Sequence, residues 1–184
     1  MKNSLVFTAL VLAAGVVSAQ TSEVGQRAEN QQQRIAQGVQ SGQLTAAGTA
    51  NLEKKESAIN QEIHTDRSLN GGKLTSQERQ TVNQQQNQLS KNIYNDKHNA
   101  AHQNYGNSEV GQRQTRQQQR IANGIASGKL NAAQTSRLEG KEASLNQEVK
   151  SDRASNGGKL TGQERQTINQ QQNHLSSRIY KAKH

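Results

Sequence analysis

Apolar residues recur along the chain at helical spacings, separated by long polar stretches. Ile35 and Val39 stand four apart, while Leu52, Ile59 and Ile63, and likewise Val82, Leu89 and Ile93, are separated by seven and four. At 3.6 residues per turn each set shares one face, so the pattern predicts helices over about Glu23 to Gln40, Ala46 to Leu69 and Ser76 to Lys97. The same signature returns at Ile121 and Ile125, at Leu138, Leu145 and Val149, and at Ile168, Leu175 and Ile179. Between the predicted helices stand SGQLT and NGGKLT, then SGKLN and NGGKLT. Gly ends a helix by taking the left-handed conformation, and the Thr or Asn after Leu caps the next one. Thr75 with Glu78 and Thr161 with Glu164 have the spacing of capping boxes.

Shifting the sequence by 86 positions lays Ser22 to His98 over Ser108 to His184, with 50 of 77 residues identical. Val39 and Ile125, Ile59 and Leu145, and Val82 and Ile168 differ only in apolar shape, as buried positions do. Gln43 and Lys129, His64 and Lys150, and Asn92 and Arg178 exchange polarity or charge, as solvated positions can. The reading is an all-α chain of two tandem three-helix units, helix-turn-helix throughout. Helical repeat 1 covers 22–98, a polar linker covers 99–107, and helical repeat 2 covers 108–184. The expected core of the first repeat comprises Ile35, Val39, Leu44, Leu52, Ile59, Ile63, Leu74, Val82, Leu89, Ile93 and Tyr94.

The first 19 residues read as a signal peptide. Lys2 supplies the positive start, Leu5 to Val17 the apolar stretch, and Val17-Ser18-Ala19 a small-residue cleavage site before Gln20. That stretch falls short of the roughly 20 apolar residues of a membrane span. The mature chain is therefore expected in the periplasm or secreted, with no transmembrane segment after cleavage.

Composition narrows the function. Only 29% of residues are hydrophobic, there is no Pro, Cys or Trp, and Gln and Asn together number 46. Thiolate metal sites and disulfides are excluded, and the absence of Pro suits long helices. No nucleophile elbow, phosphate-binding loop or zinc-protease motif occurs, so no enzyme is expected. Glu53, Glu56 and Glu62, with their counterparts Glu139, Glu142 and Glu148, are expected on the surface, paired with Lys and Arg. Segment 22–98 has 9 basic and 8 acidic residues, whereas 108–184 has 13 and 6. Arg113, Arg116 and Arg120 share a helix face, which reads either as a plain solvated face or as the candidate contacts for an envelope polyanion. Export and the scarcity of aromatics disfavour intracellular nucleic acid.

The NGGKLT turns resemble the EF-hand loop, with Gly72, Leu74 and Glu78, or Gly158, Leu160 and Glu164, at its sixth, eighth and twelfth positions. Arg67, Leu69 and Gly71 then fall where ligands belong, as do Arg153, Ser155 and Gly157. Starting one residue earlier makes Asp66 first and Asn70 fifth but leaves Gln77 twelfth. The loops are thus EF-hand-like and degenerate. A capped turn is the favoured reading, with calcium bound at most weakly by Asp66, Asn70, Glu78, Asp152, Asn156 and Glu164 and no other cofactor. The 30 residues from Leu44 to Leu74 would put successive turns at opposite ends of one helix, unlike paired EF-hands, unless that helix breaks; Gly140 offers a break in the second repeat.

Two further resemblances rest on short motifs. Leu-Thr-x-x-Glu at Leu74 and Leu160, and Leu-Asn-x-x-Gln at Leu130, are similar to the LTxxQ signature of periplasmic stress chaperones of the Spy and CpxP kind. That resemblance implies binding of unfolded protein clients. The SGxLT and NGGKLT turns, with Ile93 to His98 and Ile179 to His184 reading IYxxKH, resemble a group of exported bacterial Gln-rich helical repeat proteins, which implies no particular activity. Together these readings describe an exported, non-enzymatic binding or structural helical repeat protein. The alternatives are a holdase-type chaperone and a polyanion or cell-envelope binder acting through the basic second repeat.

Overall fold

The computed structural model describes residues 23–184, and the signal-peptide reading of 1–19 lies outside them. The described residues form six helices and no strand: α1 (Glu23–Ser41), α2 (Ala46–Leu69), α3 (Ser76–His98), α4 (Glu109–Ala126), α5 (Ala132–Ser155) and α6 (Gly162–Lys183). None of them is long and apolar enough to cross a membrane.

Turn chemistry sets these boundaries. Thr45 Oγ1 accepts from Gly48 N at 3.0 Å and starts α2. Thr75 with Glu78 and Thr161 with Glu164 close capping boxes at α3 and α6, and Asn131 with Gln134 closes another at α5. After α2, Gly71 and Gly72 take φ of 63° and 86°, which lets Gly72 N return to Arg67 O at 2.7 Å. Gly157 and Gly158 repeat this after α5. The α5 helix runs unbroken through Gly140, so the break considered there does not occur. Both turns flanking each of α2 and α5 accordingly lie at opposite helix ends.

Helix α3 runs parallel to α1, since Gln86 reaches Val24 O, Arg34 reaches Ser90 O and Gly38 approaches Lys97 in ascending order. Helix α2 runs antiparallel to α3, with Gln85 donating to Glu62 and Gly48 lying near Asp96. The broadest contact of the molecule is α2 on α5, followed by α1 on α4. A single apolar cluster joins Ile35, Leu44 and Leu52 to Ile121, Leu130 and Leu138. A smaller one gathers Val110, Leu145, Val149 and Ile168. The core is therefore continuous between segments 23–98 and 108–184.

One expectation needs correction. Tyr94 is 58% exposed and stacks on His98 with ring centroids 4.2 Å apart, because it sits one residue off the seam that buries Ile93. The segment 99–107 carries no helix, and it is tied to the start of α2 and the turn before it. Gln103 N donates to Gly42 O at 2.8 Å, its Oε1 accepts from Ala46 N at 3.1 Å, and Tyr105 is buried.

Candidate functional site

At the ends of α2 and α5, the proposed calcium ligands are partly brought together, three at each end. Asn70 Nδ2 donates to both oxygens of Glu78 at 2.8 and 3.0 Å, and Thr75 N donates to Glu78 Oε2 at 2.8 Å. Asn156, Thr161 and Glu164 do the same at 2.8, 3.0 and 2.7 Å. The backbone bond from Thr75 leads in holding Glu78 below its ordinary value, and that from Thr161 does so for Glu164. Asp66 and Asp152 stand beside these carboxylates; partial desolvation first, then the like charge of Glu78 or Glu164, raises them. Both oxygens of each Glu are thus engaged in closing a turn. Among the described residues no three His, Asp or Glu side chains converge to hold a metal ion.

The arginine face of α4 is divided. Arg113 donates to Asn169 and Asn173 and Arg120 to Ser176 O at 3.0 Å, so both brace α4 against α6. Arg116 is exposed. In α1, Arg27 and Arg34 make the matching contacts to Asn87 and to Ser90 O. Between these arginines lie buried glutamines. Gln31 Nε2 donates to Gln86 O at 2.6 Å and to Ser90 Oγ at 2.9 Å, and Gln86 Nε2 returns a bond to Val24 O at 2.9 Å. Gln117 and Gln172 repeat the exchange between α4 and α6.

The least expected chemistry lies on α2 and α5. Glu53, Glu56, Glu139 and Glu142 are fully buried, which corrects their assignment to surface ion pairs. Gln32 Nε2 donates to Glu53 Oε2 at 3.0 Å, and Gln118 Nε2 to Glu139 Oε2 at 2.7 Å. The second oxygen of each, and both oxygens of Glu56 and Glu142, have no hydrogen-bond partner. The Tyr105 hydroxyl and the Gln114 amide lie beside Glu142 without completing bonds of standard geometry. Among the described residues none of the four has an ion pair. Burial pushes Glu53 up to about 8 and Glu56 and Glu142 up to about 7, and it carries Glu139 well above the ordinary carboxylate range. Burial first, then the neighbouring Glu142 and Glu139, also raises the Tyr105 hydroxyl. In their protonated forms these side chains carry no charge into the contact between α2 and α5.

A signal for this burial was present. Leu52, Glu56, Ile59 and Ile63 are spaced four, three and four, so Glu56 is in phase with the apolar seam, as Glu142 is with Leu138, Leu145 and Val149. Compared with protein family models, curated proteins and solved structures, the chain matches none.

Proposed function

We propose that the mature chain is an exported, non-enzymatic binding and structural module made of two tandem three-helix units docked on each other. The observation that carries this reading is the broad contact of α2 with α5, which seals one apolar core between the units. What remains outside is polar: the large apolar side chains exposed among the described residues are Leu69, Tyr94 and Tyr180. So sparse an apolar surface favours an envelope polyanion as partner over an unfolded protein client. The degenerate EF-hand-like turns act as capped corners and bind calcium at most weakly.

Because the chain lacks Cys, a pair of substitutions tests the docking. In the variant carrying Ala50→Cys and Ser136→Cys, oxidation should give a monomer with an internal disulfide. Formation of disulfide-linked dimers alone would count against docked units. Amino-terminal sequencing of the exported protein should begin at Gln20, and retention on a heparin column should fall with salt. Suppression of aggregation of a denatured client would instead support the chaperone reading.

A further inference from the structure

We propose that the cleft where α4, α5 and α6 meet, and its counterpart at α1, α2 and α3, are binding sites for a phosphate monoester. This deepens the polyanion reading and rests on it. The first cleft, about 450 Å³, is lined by Arg153 from the last turn of α5, Lys159 from the turn that follows, Arg165 from the first turn of α6, and Glu109 and Val110 at the start of α4. The second, about 350 Å³, is lined by Arg67, Lys73, Arg79, Glu23 and Val24 at the corresponding places. In each, three cations face one carboxylate, which in the second cleft is Glu23, itself ion-paired with Arg27; the formal charge that remains complements the roughly −1.5 to −2 of a phosphate monoester at neutral pH.

Three of the guanidinium groups are held by neutral partners. Arg153 donates to Ser108 Oγ at 2.7 Å and Arg165 to Leu160 O at 3.4 Å, while Arg79 reaches Leu74 O at 3.2 Å. These bonds orient guanidinium forks without cancelling their charge, and a guanidinium fork matches phosphate oxygens in pairs. Both oxygens of Glu164 are engaged by Asn156 and Thr161. The first N–H groups of α4 add donors and a favourable dipole at the same wall. The Arg, Lys and Arg of the two clefts keep identical spacing, whereas His64 and Lys150, or Asn92 and Arg178, have diverged in charge between the matched segments. A space of this size holds a phosphorylated monosaccharide rather than a bare ion.

Calorimetry of the mature chain at low salt tests this with three probes: glucose 6-phosphate, inorganic phosphate and glucose. Heat is expected with the first two, stronger with the ester, and none with glucose. Lys73→Gln together with Lys159→Gln should weaken binding about tenfold, as loss of a charge-assisted bond does, with unchanged helical circular dichroism. Arg116→Gln on the exposed face of α4 should leave it unchanged. Absence of heat with both phosphates, or equal weakening by Arg116→Gln, would overturn the proposal. Salt-sensitive heparin retention that persisted in either case would mark the failure as that of the clefts and not of polyanion binding.

Discussion

Ser136 Oγ donates to the carbonyl oxygen of Ala50 at 2.9 Å, and the two residues are 86 positions apart, the same offset that superimposes the matched sequence segments. Equivalent residues can touch each other only near an axis that exchanges their helices. The contacts of α1 with α4 obey the same symmetry. Gln33 reaches Ala126 O, while Gln40 and Gln119 line one cleft, so these helices pass antiparallel. Glu139, one turn beyond Ser136, is held neutral by burial first, and the charge of Glu53, one turn beyond Ala50, adds to this across the axis.

Stability should depend on pH through these glutamates. Their folded-state values lie above the ordinary 4.5, so their contribution is fully present below pH 4.5. It declines as pH rises and, for Glu53, Glu56 and Glu142, is lost above about 8. Each titrating group contributes up to about 1.4 kcal/mol per pH unit over its window. Thermal melts of the wild-type chain should fall in midpoint between pH 5 and 8. Glu53→Gln with Glu139→Gln should flatten that profile and melt above wild type at pH 8.

Two glycines should respond in opposite directions to a methyl group. A Cβ on Gly111 would lie 2.1 Å from Tyr105 O and 2.6 Å from Gly106 O, both backbone atoms. Gly111→Ala should therefore cost about 1–3 kcal/mol and loosen the 99–107 strap, as seen by faster amide exchange at Gln103. A Cβ on Gly140 meets nothing within 4 Å in the middle of α5. Gly140→Ala should stabilise by about 0.5–1 kcal/mol in a denaturant melt.

Removing a buried glutamine should be costlier than its polarity suggests. Gln86→Ala deletes the bond to Val24 O, takes away packing at a site with no exposed surface, and leaves room between α1 and α3. A loss of about 2–4 kcal/mol is expected in urea unfolding, with a similar loss for Gln172→Ala.

The corner turns should behave as caps. Thr75→Ala and Thr161→Ala each remove the acceptor for the third N–H of the next helix and should cost about 1 kcal/mol. Millimolar calcium should leave the melting midpoint of the wild-type chain within error, since Asn70 and Thr75 already occupy Glu78.

Much of the helical layout was legible because its signals are local. Alternation of four and seven located Ile35, Leu52 and Val82, and the Gly and Thr of the turns fixed where α2 and α3 begin. The buried carboxylates were misread because charge was given precedence over phase: Glu56 and Gln86 occupy the second place of the same four, three, four seam, and both are buried. What a sequence of one chain hides is the non-local event, here the docking of α2 on α5. That docking removes Glu53 from water, and the contact of α4 with α6 turns Arg113 inward. Tyr105 was hidden for a similar reason, since the polar composition around it resembles a loose tether while its ring alone is enclosed.

The paired glutamines between α1 and α3 act as dowels. Leucine side chains tolerate a slide of one residue along a neighbour with little loss, whereas an amide aimed at a particular carbonyl fits at one height only. A scaffold poor in oily residues can in this way still fix the axial alignment of its rods, and two such dowelled halves meet with their corners already set.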